Sequence, residues 1–258
     1  MPYNGIVTIA WNNRIADGIY EMALHCPEAD LSGFVPGQFV QLGIPSHAEL
    51  ILKRPISIHA ADAETHIVTL IYQVRGKGTH ALAEMSAGTQ LQAILPLGHG
   101  FNLKPEYKTV FLVGGGMGVA PLAAVTKRWP DRQYVALLGY RCEDAAYCTD
   151  SFCSCGIKVA SDDGSIGEQG LVTALVETAL EETTPDIVLA CGPAPMLRAL
   201  KSILAPRGIR AQFSMEERMG CGFGACAVCA CAVQTADGMD YKKACVDGPL
   251  FDMDEVVI

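Results

Sequence analysis

The sequence predicts an α/β plus β protein in three parts: an N-terminal antiparallel β-barrel, a doubly wound parallel-sheet domain and a small C-terminal cysteine module. Three observations carry this. Short β-rich runs fill the first hundred residues, apolar strands alternate with helical segments from Thr109, and four of the eleven cysteines stand in ligand-like spacing in the last fifth of the chain. The parts are expected at residues 1–103, 104–211 and 212–258.

In the first part, runs at Gly5 to Ala10, Ile19 to Leu24, Gln38 to Leu42, Ile56 to His59, His66 to Val74 and Gln90 to Leu95 are divided by turn pairs such as Ser32-Gly33 and Pro36-Gly37. Such spacing suits a barrel. One helix interrupts it, with Thr79 as its expected N-cap and Gly88 as its end. Arg54-Pro55-Ile56-Ser57, followed by Ile71-Tyr72-Gln73 and Gly76-Lys77-Gly78-Thr79, combines a cation able to grip a phosphate with amides and a hydroxyl at a helix start. Seen singly, Arg54 would be a surface cation and Tyr72 a strand aromatic.

In the second part, Thr109 to Val113 is an apolar strand, Ala120 to Lys127 a helix and Tyr134 to Gly139 a second buried strand. Ile157 to Ser161 and Ile187 to Ala190 read as strands, Leu171 to Leu180 and Ala194 to Leu204 as helices, the last opened by prolines. Gly114, Gly115, Gly116 and Gly118 lie in a strand-to-helix turn with Met117, where glycines admit a dinucleotide pyrophosphate to backbone amides. Tight packing alone also explains such a turn. Cys191-Gly192-Pro193 forms a second strand-to-helix turn, and Cys191 suits either a core position or contact with a nicotinamide.

In the third part, Cys221, Cys226 and Cys229 have the C-x4-C-x2-C spacing of plant-type two-iron loops, and Cys245 supplies a distant fourth thiol. Gly220, Gly222 and Gly224 suit a loop that turns its amides toward the core. Zinc also takes four thiolates, but its ribbons usually present two short knuckles, so a [2Fe-2S] cluster is the better fit. Cys231 is a candidate substitute ligand, although spacing favours Cys229. Cys142, Cys148, Cys153 and Cys155 form a second cysteine-rich stretch, read as loop or core thiols with a metal or redox role as the alternative.

Composition narrows the partners. The chain has 258 residues, 50% of them hydrophobic, and a formal charge of -9. Its pI is near 5.1 and its mean hydropathy +0.25. An acidic chain without a basic stretch argues against nucleic acid or an anionic membrane surface as the main partner. Eleven cysteines, several inside apolar runs, and no secretory leader pattern point to a reducing cytoplasm. The histidines suggest no nucleophilic triad.

The ordered set Arg54 to Ser57, Gly78-Thr79, Gly114 to Pro121 and Cys191-Gly-Pro resembles the ferredoxin-NADP reductase superfamily. The run Met215-Glu-Glu-Arg-Met219 into Cys221, with Ala244-Cys245-Val-Asp247-Gly-Pro249, narrows the resemblance to electron-transfer subunits of class 1B dihydroorotate dehydrogenases. It implies FAD on Arg54, Pro55, Ile56, Ser57, Ile71, Tyr72, Gln73, Gly78 and Thr79, with Ser57 near the reactive flavin N5. It implies NAD(H) on Gly114, Gly115, Gly116, Gly118, Cys191, Gly192 and Pro193, and a [2Fe-2S] cluster on Cys221, Cys226, Cys229 and Cys245.

The implied partner is an FMN-containing catalytic subunit that interconverts dihydroorotate and orotate in pyrimidine biosynthesis, two of each forming a heterotetramer. A relay suits this order, because hydride transfer moves two electrons and a cluster accepts one. Another flavin and [2Fe-2S] subunit, of the electron-bifurcating ferredoxin-NADP oxidoreductase or sulfide dehydrogenase type, matches the same motifs. A zinc-stapled regulatory subunit without redox chemistry is a more distant alternative. For cofactor choice, Arg141 suits a 2′-phosphate while Glu143 or Asp144 suits a free ribose hydroxyl, and the acidic pair favours NAD.

Overall fold

The computed structural model of the chain describes residues 1–47, 49–152 and 155–258. Six strands, β1 (Tyr3–Ala16), β2 (Ile19–His25), β3 (Phe39–Gly43), β4 (Arg54–Asp62), β5 (Ile67–Gln73) and β6 (Gln90–Leu97), close in the order β1-β2-β5-β4-β3-β6. Strand β1 is longer than its apolar run because it serves two neighbours: Tyr3 to Thr8 pair with β6, and Thr8 to Ala16 with β2. Closure leaves no free edge. Alternation sends Val40, Leu42, Ile56 and Ile58 into the barrel core, while Phe39, Pro55 and Ser57 face outward to a cleft.

Helix α1 (Lys77–Ala83) departs from the expected start and end. Its N-cap is Gly76, and Thr79 lies inside the first turn, where its hydroxyl accepts the N–H groups of Arg75 (2.9 Å) and Gly76 (3.1 Å). The hydroxyl therefore secures the helix start from within. Gly88 belongs to the turn beyond the helix, with φ +87°.

The second sheet contains β7 (Thr109–Gly115), β8 (Gln133–Tyr140), β9 (Cys155–Ser161), β10 (Glu168–Gln169), β11 (Ile187–Cys191), β12 (Ala211–Ser214) and, from the third part, β15 (Leu250–Asp252). Its order is β10-β9-β8-β7-β11-β12-β15, parallel throughout except for β15. The order reverses at β7, between β8 and β11, which is where open α/β sheets bind ligands. Helix α2 (Val119–Arg128) covers one face, on which Val110 and Leu112 point outward. Helices α3 (Val172–Glu182) and α4 (Ala194–Leu204) cover the other, with Phe111 and Val113.

Sequence patterning did not reveal β12 or β15. Strand β12 straddles the expected 211/212 boundary, and β15 returns to pair with it through Phe213↔Phe251. A four-residue strand at an edge is too short for periodicity to register. The hairpin β13 (Ala230–Thr235) and β14 (Gly238–Lys243) completes the third part. Cys229, Cys231, Ala244 and Cys245 share one core with α3, α4 and Phe39, so the cysteine module is packed onto both preceding domains. Among the described residues no helix is long and apolar enough to cross a membrane.

Candidate functional site

Two clefts and one cysteine loop lie in series. The first cleft, of about 330 Å³, is lined on the barrel side by Pro55, Ile56 and Ser57 of β4, Ile71, Tyr72 and Gln73 of β5, and Thr79. Met117, Gly118 and Cys191 face them from the sheet domain, and Ser214, Glu216 and Met219 continue the wall toward the cysteine loop. Tyr72 is held firmly: its hydroxyl donates to Asn12 Oδ1 (3.0 Å), and its ring stacks on Tyr20 at 5.8 Å. Asn12 in turn donates to the carbonyls of Leu82 (2.8 Å) and Met85 (2.9 Å), linking this strand to α1. Burial raises the Tyr72 phenol well above its usual range, so it stays a neutral donor.

Arg54 and Gly78 are neighbours outside that lining. The Arg54 guanidinium donates to the carbonyls of Leu50 (3.2 Å) and Leu52 and rests where a side chain on Gly78 would stand. A Cβ at Gly78 would lie 2.7 Å from Arg54 Nη2 and closer still to its Nε and Cζ. Glycine at this position keeps the cation at the cleft margin.

The second cleft, of about 310 Å³, lies across the β7 turn. Gly115 and Gly116 line its base, Arg141 and Asp162 stand just past the ends of β8 and β9, Thr173 lies in the first turn of α3, and Pro193 and Met196 come from the α4 side. The four turn glycines divide by role. Gly116 has φ +53° with open space around it. Its carbonyl accepts from Tyr147 (3.0 Å), whose own carbonyl accepts from Tyr140 (2.6 Å). Gly114 and Gly118 are packing positions: a Cβ on Gly114 would lie 2.9 Å from Val119, and one on Gly118 would overlap the Cys191 carbonyl. Tight packing therefore accounts for Gly114 and Gly118, whereas backbone conformation accounts for Gly116.

The Cys191-Gly192-Pro193 turn separates the two clefts. Cys191 lines the first and Pro193 the second, while a Cβ on Gly192 would meet Met196 at 2.5 Å. Burial pushes the Cys191 thiol up to about 12, opposed by a hydrogen bond with Ser214. The thiol is therefore neutral at ordinary pH. Glu143 and Asp144, expected near a ribose, line neither cleft. Asp162 and Met196 were not singled out from sequence, although Asp162-Asp163-Gly164 directly after an expected strand was an available signal.

In the cysteine loop the thiols stand as two pairs. The Cys221 N–H donates to Cys226 Sγ (3.4 Å), and Cys229 Sγ lies 3.2 Å from Cys245 Sγ. Burial raises the Cys221 thiol, but the amides of Phe223, Cys226 and Ala225 outweigh it and bring the group down to about 6. Burial and the neighbouring Cys229 push Cys245 up to about 12, against the Gly224 amide. Gly222 (φ +78°) and Gly224 (φ +93°) have left-handed backbones, and the Gly224 carbonyl accepts from Lys243 Nζ (2.7 Å). A Cβ on Gly222 would run into Gln41, a wholly buried amide of β3 whose Oε1 has no donor among the described residues.

This donor set fits a two-iron core, in which four thiolates are shared between two irons and amides point at sulfur. Among the described residues, no three His, Cys, Asp or Glu side chains converge on a single-ion site. Cys231 is buried, directed at the Cys229 carbonyl (3.9 Å), and pushed up to about 12 by burial. The structure thus brings Cys229, not Cys231, to Cys245. In the other cysteine stretch, Cys148 packs in the α2-face core and burial raises it to about 11, and Cys153 lies outside the described residues.

Residues 216–257 match the family model of the iron-sulfur cluster binding domain of dihydroorotate dehydrogenase B. The chain is 40% identical over 247 residues to a dihydroorotate dehydrogenase B (NAD(+)) electron transfer subunit from Caldanaerobacter subterraneus subsp. tengcongensis, covering 95% of each. A protein of the same name from Enterococcus faecalis is 38% identical over 266 residues, with 98% of each covered. Among solved structures, that of an NADH-dependent reduced ferredoxin-NADP oxidoreductase, described for flavin-based electron bifurcation, aligns with TM-score 0.86 at 28% identity, covering 97% of this chain and 89% of that one. Phthalate dioxygenase reductase shares the fold, with TM-score 0.67 at 17% identity over 90% and 87% of the two chains. With two-fifths identity along nearly the whole of both chains, and a cysteine loop that matches the family's own cluster domain, this chain belongs to the dihydroorotate dehydrogenase B (NAD(+)) electron transfer subunits.

Proposed function

We propose that the chain relays electrons between NAD(H) and an FMN-containing dihydroorotate dehydrogenase catalytic subunit, holding FAD in the first cleft, NAD in the second and a [2Fe-2S] cluster on Cys221, Cys226, Cys229 and Cys245. One observation carries this reading: the Cys191 to Pro193 turn is shared by both clefts, and the wall of the first runs through Met215 to Met219 into the cysteine loop. Bound there, the flavin and the cluster convert two-electron hydride chemistry into single-electron transfer.

The protein's own groups hold this series in place. Pro55, Ile56, Ser57, Ile71, Tyr72, Gln73 and Thr79 provide one wall of the flavin cleft, with Arg54 and Gly78 at its phosphate margin. Gly115, Gly116 and Pro193 line the dinucleotide cleft, Gly114, Gly118 and Gly192 pack the turns that shape it, and Cys191 and Met117 present uncharged sulfur to the flavin side. Phe223, Val228 and Val246 leave an exposed apolar surface around the cysteine loop, suited to contact with the catalytic subunit. The assembly is two of these chains with two catalytic subunits, in the cytoplasm.

Gly78→Ala is expected to displace Arg54 and to weaken FAD retention about tenfold, with a melting temperature within a few degrees of wild type, because a flexible side chain yields more readily than backbone. Flavin content after gel filtration reads it, and unchanged retention would remove Arg54 from the site.

The overall test is co-purification with an untagged FMN subunit, followed by dihydroorotate-dependent NAD⁺ reduction. Stable recruitment and turnover are expected. The likeness to the bifurcating oxidoreductase favours a second reading, in which this chain serves that reaction class. Failure to recruit the FMN subunit, with FAD and the cluster intact, would shift the assignment there.

A further inference from the structure

We infer that Asp162 selects NAD over NADP, and that Arg141 beside it is a latent 2′-phosphate ligand which Asp162 masks; this rests on the second cleft being the dinucleotide site proposed above. The acidic residues nearest to Arg141 in sequence line neither cleft. The Glu143 N–H donates to Ser165 Oγ (2.7 Å), and Asp144 lines a separate crevice against Arg14 and Asp17, where its carbonyl accepts the Asp17 N–H (3.0 Å).

Asp162 takes their place from the neighbouring strand. Tyr140 and Ser161 are register partners in the parallel β8–β9 ladder, and the Asp162 N–H donates to the Tyr140 carbonyl (3.2 Å). Arg141 and Asp162 are therefore the next residues on adjacent strands, and both line the cleft. Among its described lining residues Arg141 is the one cation and Asp162 the one carboxylate, and no ion pair or hydrogen bond joins them.

The position of Asp162 is fixed. Ser161 is buried; its Oγ donates to the Ile166 carbonyl (2.8 Å) and accepts the Ile166 N–H (3.1 Å), while its carbonyl accepts from Gly164 (3.3 Å) and Gly170 (2.9 Å). These bonds fold residues 162–170 into a closed loop that starts at the strand end. The Ser165 hydroxyl bonded to Glu143 ties the same loop to the segment following Arg141.

The chemistry follows from the two charges. A free ribose 2′-hydroxyl donates to a carboxylate at this position, whereas a 2′-phosphate meets like charge. Arg141 alone would attract that phosphate, since a guanidinium forks onto phosphate oxygens. The pair therefore encodes discrimination through a repulsive element, with the attractive one already present.

The test uses the assembled, FAD-loaded complex, titrated calorimetrically with NAD⁺ and with NADP⁺. Wild type is expected to favour NAD⁺ by about tenfold or more, D162N to erase most of that ratio by tightening NADP⁺, and D162N/R141Q to lose the gained NADP⁺ affinity. Asp162 is exposed and only its backbone makes structural hydrogen bonds, so D162N should retain the fold. A D162N ratio within twofold of wild type, with NAD⁺ still bound, would overturn the inference and leave the cleft assignment standing. Ala199→Trp, from the wall of the same cleft, should abolish binding of both dinucleotides. Undiminished NAD⁺ binding in that variant would overturn the cleft assignment and the inference with it.

Discussion

Cys226→Ser is expected to leave NADH-to-dye reduction within about twofold of wild type while lowering NADH-linked orotate reduction by the reconstituted complex at least about a hundredfold. Cys226 is an exposed member of the Cys221 pair, outside the shared core that encloses Cys229 and Cys245. Its replacement should damage the outlet without disturbing either cleft, because neither cleft is lined by any of the four thiols. Dye reduction needs only the two nucleotide sites, whereas orotate reduction needs the full series. Equal loss of both activities, with FAD retained, would mean that the cysteine loop does not stand at the end of the relay.

The second large effect concerns folding. Gly118 has φ -66°, ordinary helical backbone, so conformational freedom does not explain it. The space does: an added Cβ would overlap the Cys191 carbonyl and lie 2.7 Å from the Gly192 nitrogen, both backbone atoms at the crossing of the two nucleotide turns. Backbone in a six-strand parallel core cannot shift cheaply, so Gly118→Ala should cost ~3 kcal/mol or more and weaken NAD⁺ binding as the turns separate. Gly116→Ala provides the contrast. Its φ of +53° and open surroundings predict a cost of only about 1–2 kcal/mol, from the left-handed backbone alone. Denaturant unfolding of the two variants decides it, and equal losses would refute the packing explanation of Gly118.

Much of the fold was legible in the chain because its signals are local. The β7 and β11 runs are continuously apolar since both faces of a parallel sheet are covered, and the turns after them carry glycine and proline where helices begin. The cysteine spacing is equally local, as three of its four thiols occupy one loop. Less legible were elements whose stability comes from remote partners. Strands β12 and β15 are short edge strands that exist because each finds a neighbour in the sheet, one of them from the far end of the chain. Thr79 caps from within the first turn, and in sequence a hydroxyl there looks the same whether it precedes the helix or folds back from inside it.

The three-part order, the family and the chemistry each part is equipped for are written in residue type and spacing along the chain. Tertiary structure alone decided which residues share a site. It divided the glycines of one motif between conformation and packing and gave Cys191 and Pro193 to different clefts. It joined Cys229 rather than Cys231 to Cys245, and brought Asp162 beside Arg141 across a strand ladder while leaving Glu143 and Asp144 outside both clefts. The physical reason is common to all of these. Side chains meet through register and loop closure between distant segments, and a one-residue slip of the β8–β9 ladder would part Arg141 from Asp162 without altering a local pattern.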